Sequence, residues 1–114
     1  MARILIFEPH GDIRTLLEIV VTRLGHEPVV CDAPEEDLTP VDAAVIEPGE
    51  GDGISLAQRL RKRGVPVIFT SIFPAGPEAI DLAPSAYLVK PYALYLLEKA
   101  LADAVAPARA SAAG

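Results

Sequence analysis

Polar side chains stand directly after the short apolar runs of this chain. Glu8 follows Arg3-Ile4-Leu5-Ile6-Phe7, and Cys31 or Asp32 stands at the end of the run Pro28-Val29-Val30-Cys31. Glu47 follows Asp42-Ala43-Ala44-Val45-Ile46, Thr70 closes the run that begins at Val65 with Ser71 next to it, and Lys90 is the last residue of Ala86-Tyr87-Leu88-Val89-Lys90. If each run is a strand of one parallel sheet, functional groups gather just beyond the carboxyl ends. Two carboxylates, a hydroxyl and an ammonium then converge at one edge. That is the only chemically suggestive constellation in the sequence, and its simplest chemistry is a carboxylate–ammonium pair.

Other combinations carry less. Gly49-Glu50-Gly51-Asp52-Gly53 invites a nucleotide-loop reading, but Ile54 and Leu56 break the G-x-G-x-x-G spacing in both registers. Its acids would also repel phosphate, so it reads as a turn. His10 beside Glu8 and Asp12 on a strand-to-helix turn reads as capping and solvated groups rather than a metal cluster. Cys31 stands alone, without a histidine at motif spacing, and reads as a small buried hydrophobe. No nucleophile–base pair is present, so the chain does not read as an enzyme.

A scaffold must bring the strand-end residues together, and short apolar runs do alternate with helical patterns. Continuous apolar runs suit strands buried on both faces. Ile13, Leu16, Leu17, Val20 and Leu24 recur at helical spacing, with Asp12 placed to cap the start and Gly25 to end the helix in a left-handed conformation. Ile54, Ala57 and Leu60 share a second helical face, Arg59, Arg61, Lys62 and Arg63 are available to water, and Gly64 stops that helix. Leu94, Leu97, Leu101 and Val105 form the clearest amphipathic stripe. Residues 32–40 are too few for a full crossover, so a helix there is one or two turns or absent. Residues 77–83 hold only a short helix, closed by Pro84. Strands alternating with helices imply a mostly parallel sheet covered on both faces.

With 114 residues, 51% of them hydrophobic, the chain makes one compact domain with a sizeable core. The domain takes residues 1–106, and 107–114 read as a flexible small-residue tail. A net charge of −6 weighs against nucleic acid as a partner. No uncharged apolar run is long enough to span a membrane, and the N-terminus lacks a signal-peptide core. A single cysteine excludes an internal disulfide and suits the cytoplasm.

From Arg3 to about Val105 the chain resembles the receiver domain of two-component response regulators. Arg3 to Arg14 looks like the family opening, where an apolar strand runs into a pair of acids. Val41 to Glu47 looks like the strand that ends in the phosphoacceptor aspartate. Pro66 to Ser71 resembles the strand ending in the switch Ser or Thr, with Thr70 and Ser71 both in reach of that position. Tyr87-Leu88-Val89-Lys90-Pro91-Tyr92 is the most specific match, combining the family's switch aromatic, its lysine and the proline that follows. The resemblance implies a flavodoxin-like α/β sandwich, a five-stranded parallel sheet in the order 2-1-3-4-5, shortened second and fourth helices, and a cis bond at Lys90-Pro91.

The departures from the pattern have consequences. In the family, the acid pair and the aspartate hold Mg²⁺, which needs several oxygens in near-octahedral order. Here the pair is Glu8-Pro9, and the phosphoacceptor-equivalent position holds Glu47, one methylene longer. The acceptor loop is about two residues shorter than the family's and adds Glu50 and Asp52. Phosphoryl transfer depends on positioning and charge neutralisation, so the resemblance implies a pseudo-receiver without a cofactor, whose Mg²⁺ binding is weak or lost. Glu47 has two readings. It is a plain ion-pair partner of Lys90, or it imitates a phosphorylated aspartate by reaching toward Lys90 and Ser71.

The expected function is therefore signalling by protein–protein contact, independent of phosphorylation. Glu8 is the acid-pair remnant, and Ser71, Tyr87 and Lys90 are the switch residues. The contact surface is expected on the last helix, at Tyr92, Tyr95, Leu96 and Lys99 together with Ala100, for a signalling protein or a second copy. The alternatives are a working phosphoacceptor in a histidine-kinase relay and, below it, a ligand-binding module on the same fold.

Overall fold

The computed structural model describes residues 1–32, 40–49 and 52–113, with side chains through residue 106. The strands are β1 (Arg3–Phe7), β2 (Glu27–Val30), β3 (Ala43–Ile46), β4 (Val67–Ser71) and β5 (Ala86–Val89). The helices are α1 (Gly11–Arg23), α2 (Gly53–Lys62), α3 (Pro77–Asp81) and α4 (Leu94–Ala113). All strand pairs are parallel, in the order β2-β1-β3-β4-β5. The fold is the flavodoxin-like sandwich that the sequence led us to expect. The short helix considered within residues 32–40, with Glu35, Glu36 and Asp37, falls mainly outside the described residues, as do Glu50 and Gly51.

Alternation along the strands feeds two cores. Ile4, Ile6, Val45 and Ile68 face α1 and α4, where they meet Leu17, Val21, Leu97 and Leu101. Leu5, Phe7, Ile46 and Phe69 face the opposite way, onto Leu56, Ala57, Leu60 and Ala79. Each such side chain removed from water contributes about 1.5–3 kcal/mol. β1, β3 and β4 are buried on both faces, which is why their sequences run apolar without a break.

Several helix details correct the expectations. The N-cap of α1 is His10, with no side-chain cap bond, and Asp12 lies in the first turn, where it faces the positive end of the helix dipole. Gly25 does end α1 with φ +86°. The Gly25 N–H donates to the Thr22 carbonyl and the His26 N–H to the Val21 carbonyl, the paired bonds of a left-handed helix stop. Ala83 takes the same role after α3, at φ +49° without a glycine. Leu16 and Leu94 are exposed, and the buried stripe of α4 is Leu97, Ala100, Leu101 and Ala104. Ala100 therefore belongs to the core and not to a contact surface. α4 is helical to Ala113, past Pro107, where the sequence suggested a tail begins. The Lys90-Pro91 bond is cis.

Candidate functional site

β1 and β3 pair with Phe7 opposite Ile46, so the next residues, Glu8 and Glu47, leave the sheet side by side. β4 and β5 pair with Ser71 opposite Val89, and Lys90 emerges one step beyond. The Lys90 N–H donates to the Ser71 carbonyl at 2.7 Å, which anchors that end of the sheet. From there the Lys90 ammonium reaches both acids, 2.7 Å from Glu8 Oε1 and 3.0 Å from Glu47 Oε2. The three side chains are nearly closed to water, at 12% exposure for Lys90, 0% for Glu8 and 5% for Glu47.

The remaining carboxylate oxygens are engaged too. Glu8 Oε2 accepts the His10 backbone N–H at 3.1 Å, with the His10 ring Nδ1 at 3.2 Å. Glu47 Oε1 accepts the Gly49 N–H at 2.7 Å. Buried charges persist only when paired and hydrogen-bonded in this way. Burial works to discharge Lys90, but hydrogen bonds and charge from Glu8 and Glu47 outweigh it and hold its pKa above the ordinary 10.5. Burial likewise raises the Tyr92 phenol above 10.0, with Lys90 pulling it down and Glu8 pushing it up.

Ser71 and Thr70 are now told apart. Thr70 follows Ile68 onto the α1/α4 face, and its buried Oγ1 has no hydrogen-bond partner. Ser71 is on the other face and accepts the Phe73 N–H at 3.2 Å. The Tyr87 hydroxyl donates to the Phe73 carbonyl at 2.8 Å, and its ring lies edge-on to Phe69 at 6.0 Å. The two expected switch residues thus hold the backbone of one residue, Phe73, Ser71 at its N–H and Tyr87 at its carbonyl. Glu47 and Ser71 are not bonded to each other. A Cβ at Gly49 would stand 3.0 Å from Glu47 Oε1 and 3.8 Å from Ser71 Oγ, so the Gly49 backbone fills the space between them. A Cβ at Gly53 would strike the Glu47 carbonyl oxygen. Both glycines escaped the sequence reading as positioning residues, although Pro48-Gly49 directly after Glu47 signals a tight turn.

The expected contact residues on the last helix are not one surface. Tyr92 precedes α4 and packs against the core beneath it. Tyr95 and Leu96 are exposed. Lys99 pairs with Asp103 one turn on, at 2.8 Å on the surface.

The regular receiver pattern implies Mg²⁺, and the residues present do not fit it. Octahedral coordination needs several oxygens converging on an open position for the cation. Here the four carboxylate oxygens already face protein donors, with an ammonium between the two acids. Among the described residues, no group of three His, Cys, Asp or Glu side chains is placed to hold a metal ion. Among the same residues, no helix is long and apolar enough to cross a membrane.

The fold is the one seen in solved receiver domains. The signal receiver domain of a modulated diguanylate cyclase from Desulfovibrio desulfuricans, an example of alternate folding, superposes with a TM-score of 0.82 at 27% identity, over 97% of this chain and 98% of that one. A response regulator receiver protein from Burkholderia phymatum gives 0.80 at 18% identity, over 93% and 96%. The response regulator TrrA from Thermotoga maritima, solved with Mg²⁺ and BeF, gives 0.75 at 22% identity, over 91% and 99%. No family model and no curated protein matches the sequence.

Proposed function

We infer that this chain is a receiver-type signalling domain that acts through protein contacts and without phosphoryl transfer at Glu47. The observation that carries the reading is the closure of Glu47. Its two oxygens hold Lys90 and the Gly49 N–H, and the Gly49 backbone stands against the carboxylate. An acceptor carboxylate needs one free oxygen with open space in line with it and, in this chemistry, a metal to neutralise the incoming charge. Each Glu47 oxygen is already taken by a protein donor, and Lys90 neutralises its charge from within the chain. The domain is then no enzyme and needs no cofactor, and its single cysteine suits a cytoplasmic setting. Glu47 stands where a phosphorylated aspartate would meet the lysine, and it holds Lys90 in one arrangement without an input.

Incubation with acetyl phosphate and Mg²⁺ tests this by intact-mass measurement. An unchanged mass is expected. A mass gain of one phosphoryl group that is lost on Glu47→Gln would show a working acceptor and overturn the reading.

A further inference from the structure

We propose that the groove between the β3–α2 loop and α3, with the loop of Phe73 at its edge, docks an apolar segment of a partner protein flanked by lysine or arginine. The proposal rests on the reading above, that the domain works by contact, and names the chemistry of the contact.

The groove holds about 230 Å³ and is lined by Pro48, Ile54, Pro77, Ala79 and Tyr87 among others. That is room for one large apolar side chain. Around it stand exposed apolar residues that a solvated loop does not need: Ile72 at 63%, Phe73 at 62% and Ile80 at 61% exposure. Adjacent apolar side chains left in water next to a groove mark an interaction site.

The charge of the walls selects the occupant. Neither residues 48–58 nor residues 71–89 contain a lysine or arginine, while their described residues include Asp52, Glu78 and Asp81. Asp52, Glu78 and Asp81 are exposed, Glu78 lines the groove, and Asp81 lies one helical step from it on the same side of α3. Arg61 of α2 meets the far end of α3, where it donates to the Leu82 carbonyl at 3.0 Å. An apolar hollow lined by Glu78, with more carboxylates than cations about it, favours a cationic apolar segment and repels an acidic one. It is also a poor match for a second copy of this chain, because two such hollows would repel.

The groove is wired to the buried ion pair. Ser71 and Tyr87 hold the two backbone polar groups of Phe73, its N–H and its carbonyl, and the Ser71 carbonyl takes the Lys90 N–H. The arrangement that pairs Lys90 with Glu8 and Glu47 therefore also presents Phe73 outward.

The test uses the full chain and two synthetic helical peptides, one built of leucine and lysine and one of leucine and glutamate. Binding is followed by fluorescence anisotropy and by amide chemical shifts. The lysine peptide is expected to bind and to shift Ile54, Phe73, Ala79 and Ile80. Its affinity is expected to fall about tenfold in Phe73→Ser, the loss of one buried aromatic, and by a similar factor in Glu78→Lys/Asp81→Lys. Both variants alter exposed residues, so circular dichroism is expected to show unchanged folding. Equal binding of both peptides, shifts centred on Tyr95, no binding, or a Phe73-dependent dimer in sedimentation would overturn the proposal. Phosphorylation at Glu47 would sink the earlier reading while leaving these binding results unchanged, so the two failures are distinguishable.

Discussion

Replacing Lys90 by methionine removes the cation from between two buried carboxylates while keeping most of the side-chain volume. Deleting one member of a buried charge cluster costs about 3–5 kcal/mol, because the remaining charge stays buried and unpaired. Two acids are stranded here, 2.7 and 3.0 Å from the missing ammonium. The Lys90 side chain keeps 12% exposure, so some water reaches the gap, and the lower end of the range, about 3 kcal/mol, is expected. A domain of 114 residues has a total stability of about 6–17 kcal/mol, so the variant should still fold. Urea unfolding at pH 7, followed by circular dichroism, reads the loss. The informative companion is the neutral triple variant Glu8→Gln/Glu47→Gln/Lys90→Met. If stranded charge is the cause, neutralising both acids recovers most of the loss, since uncharged replacements of buried ion clusters are often close to neutral. A loss below about 1 kcal/mol in Lys90→Met, as for an exposed pair, would refute the argument. So would a triple variant no more stable than the single one.

Three further outcomes are expected. Lys90 and Tyr92 both have raised pKa values in the folded protein. Each holds its proton more tightly folded than unfolded, so their contribution to stability is fully present below about pH 10 and is lost as the pH rises past it, which urea midpoints between pH 8 and 11 would show. Thr70→Val replaces a buried hydroxyl that has no partner by a methyl of the same shape, and should raise stability by about 1 kcal/mol in the same assay. Gly53→Ala drives a Cβ into the Glu47 carbonyl oxygen, a backbone atom that cannot rotate away, and should cost about 2–3 kcal/mol in thermal or urea unfolding.

β1, β3 and β4 were legible in the sequence because a strand buried on both faces has an unbroken apolar run. Arg3–Phe7 came out with the observed bounds, while β2 to β5 shifted by one or two residues at an end. The stop at Gly25 was legible because the left-handed turn has a preferred residue. Helix faces were read less well. Leu16 and Leu94 satisfy the helical spacing yet lie exposed, since spacing marks a stripe but not its width or its centre. Tyr92 was assigned to a helix that begins only at Leu94.

The sequence by itself determined which residues end each strand, and so which polar groups could share the carboxyl edge. That followed from apolar runs of fixed length, each a local property of a few neighbours. The tertiary structure decided which atoms meet. Lys90 reaches Glu8 across 82 positions and Glu47 across 43, and no local pattern encodes those distances. The choice of Ser71 over Thr70 as the residue facing the loop, the Gly49 amide on Glu47, and the hold of Ser71 and Tyr87 on Phe73 all follow from strand register and loop path. Register is set by the packing of both sheet faces at once, and a shift of one residue would turn each of these side chains to the other face.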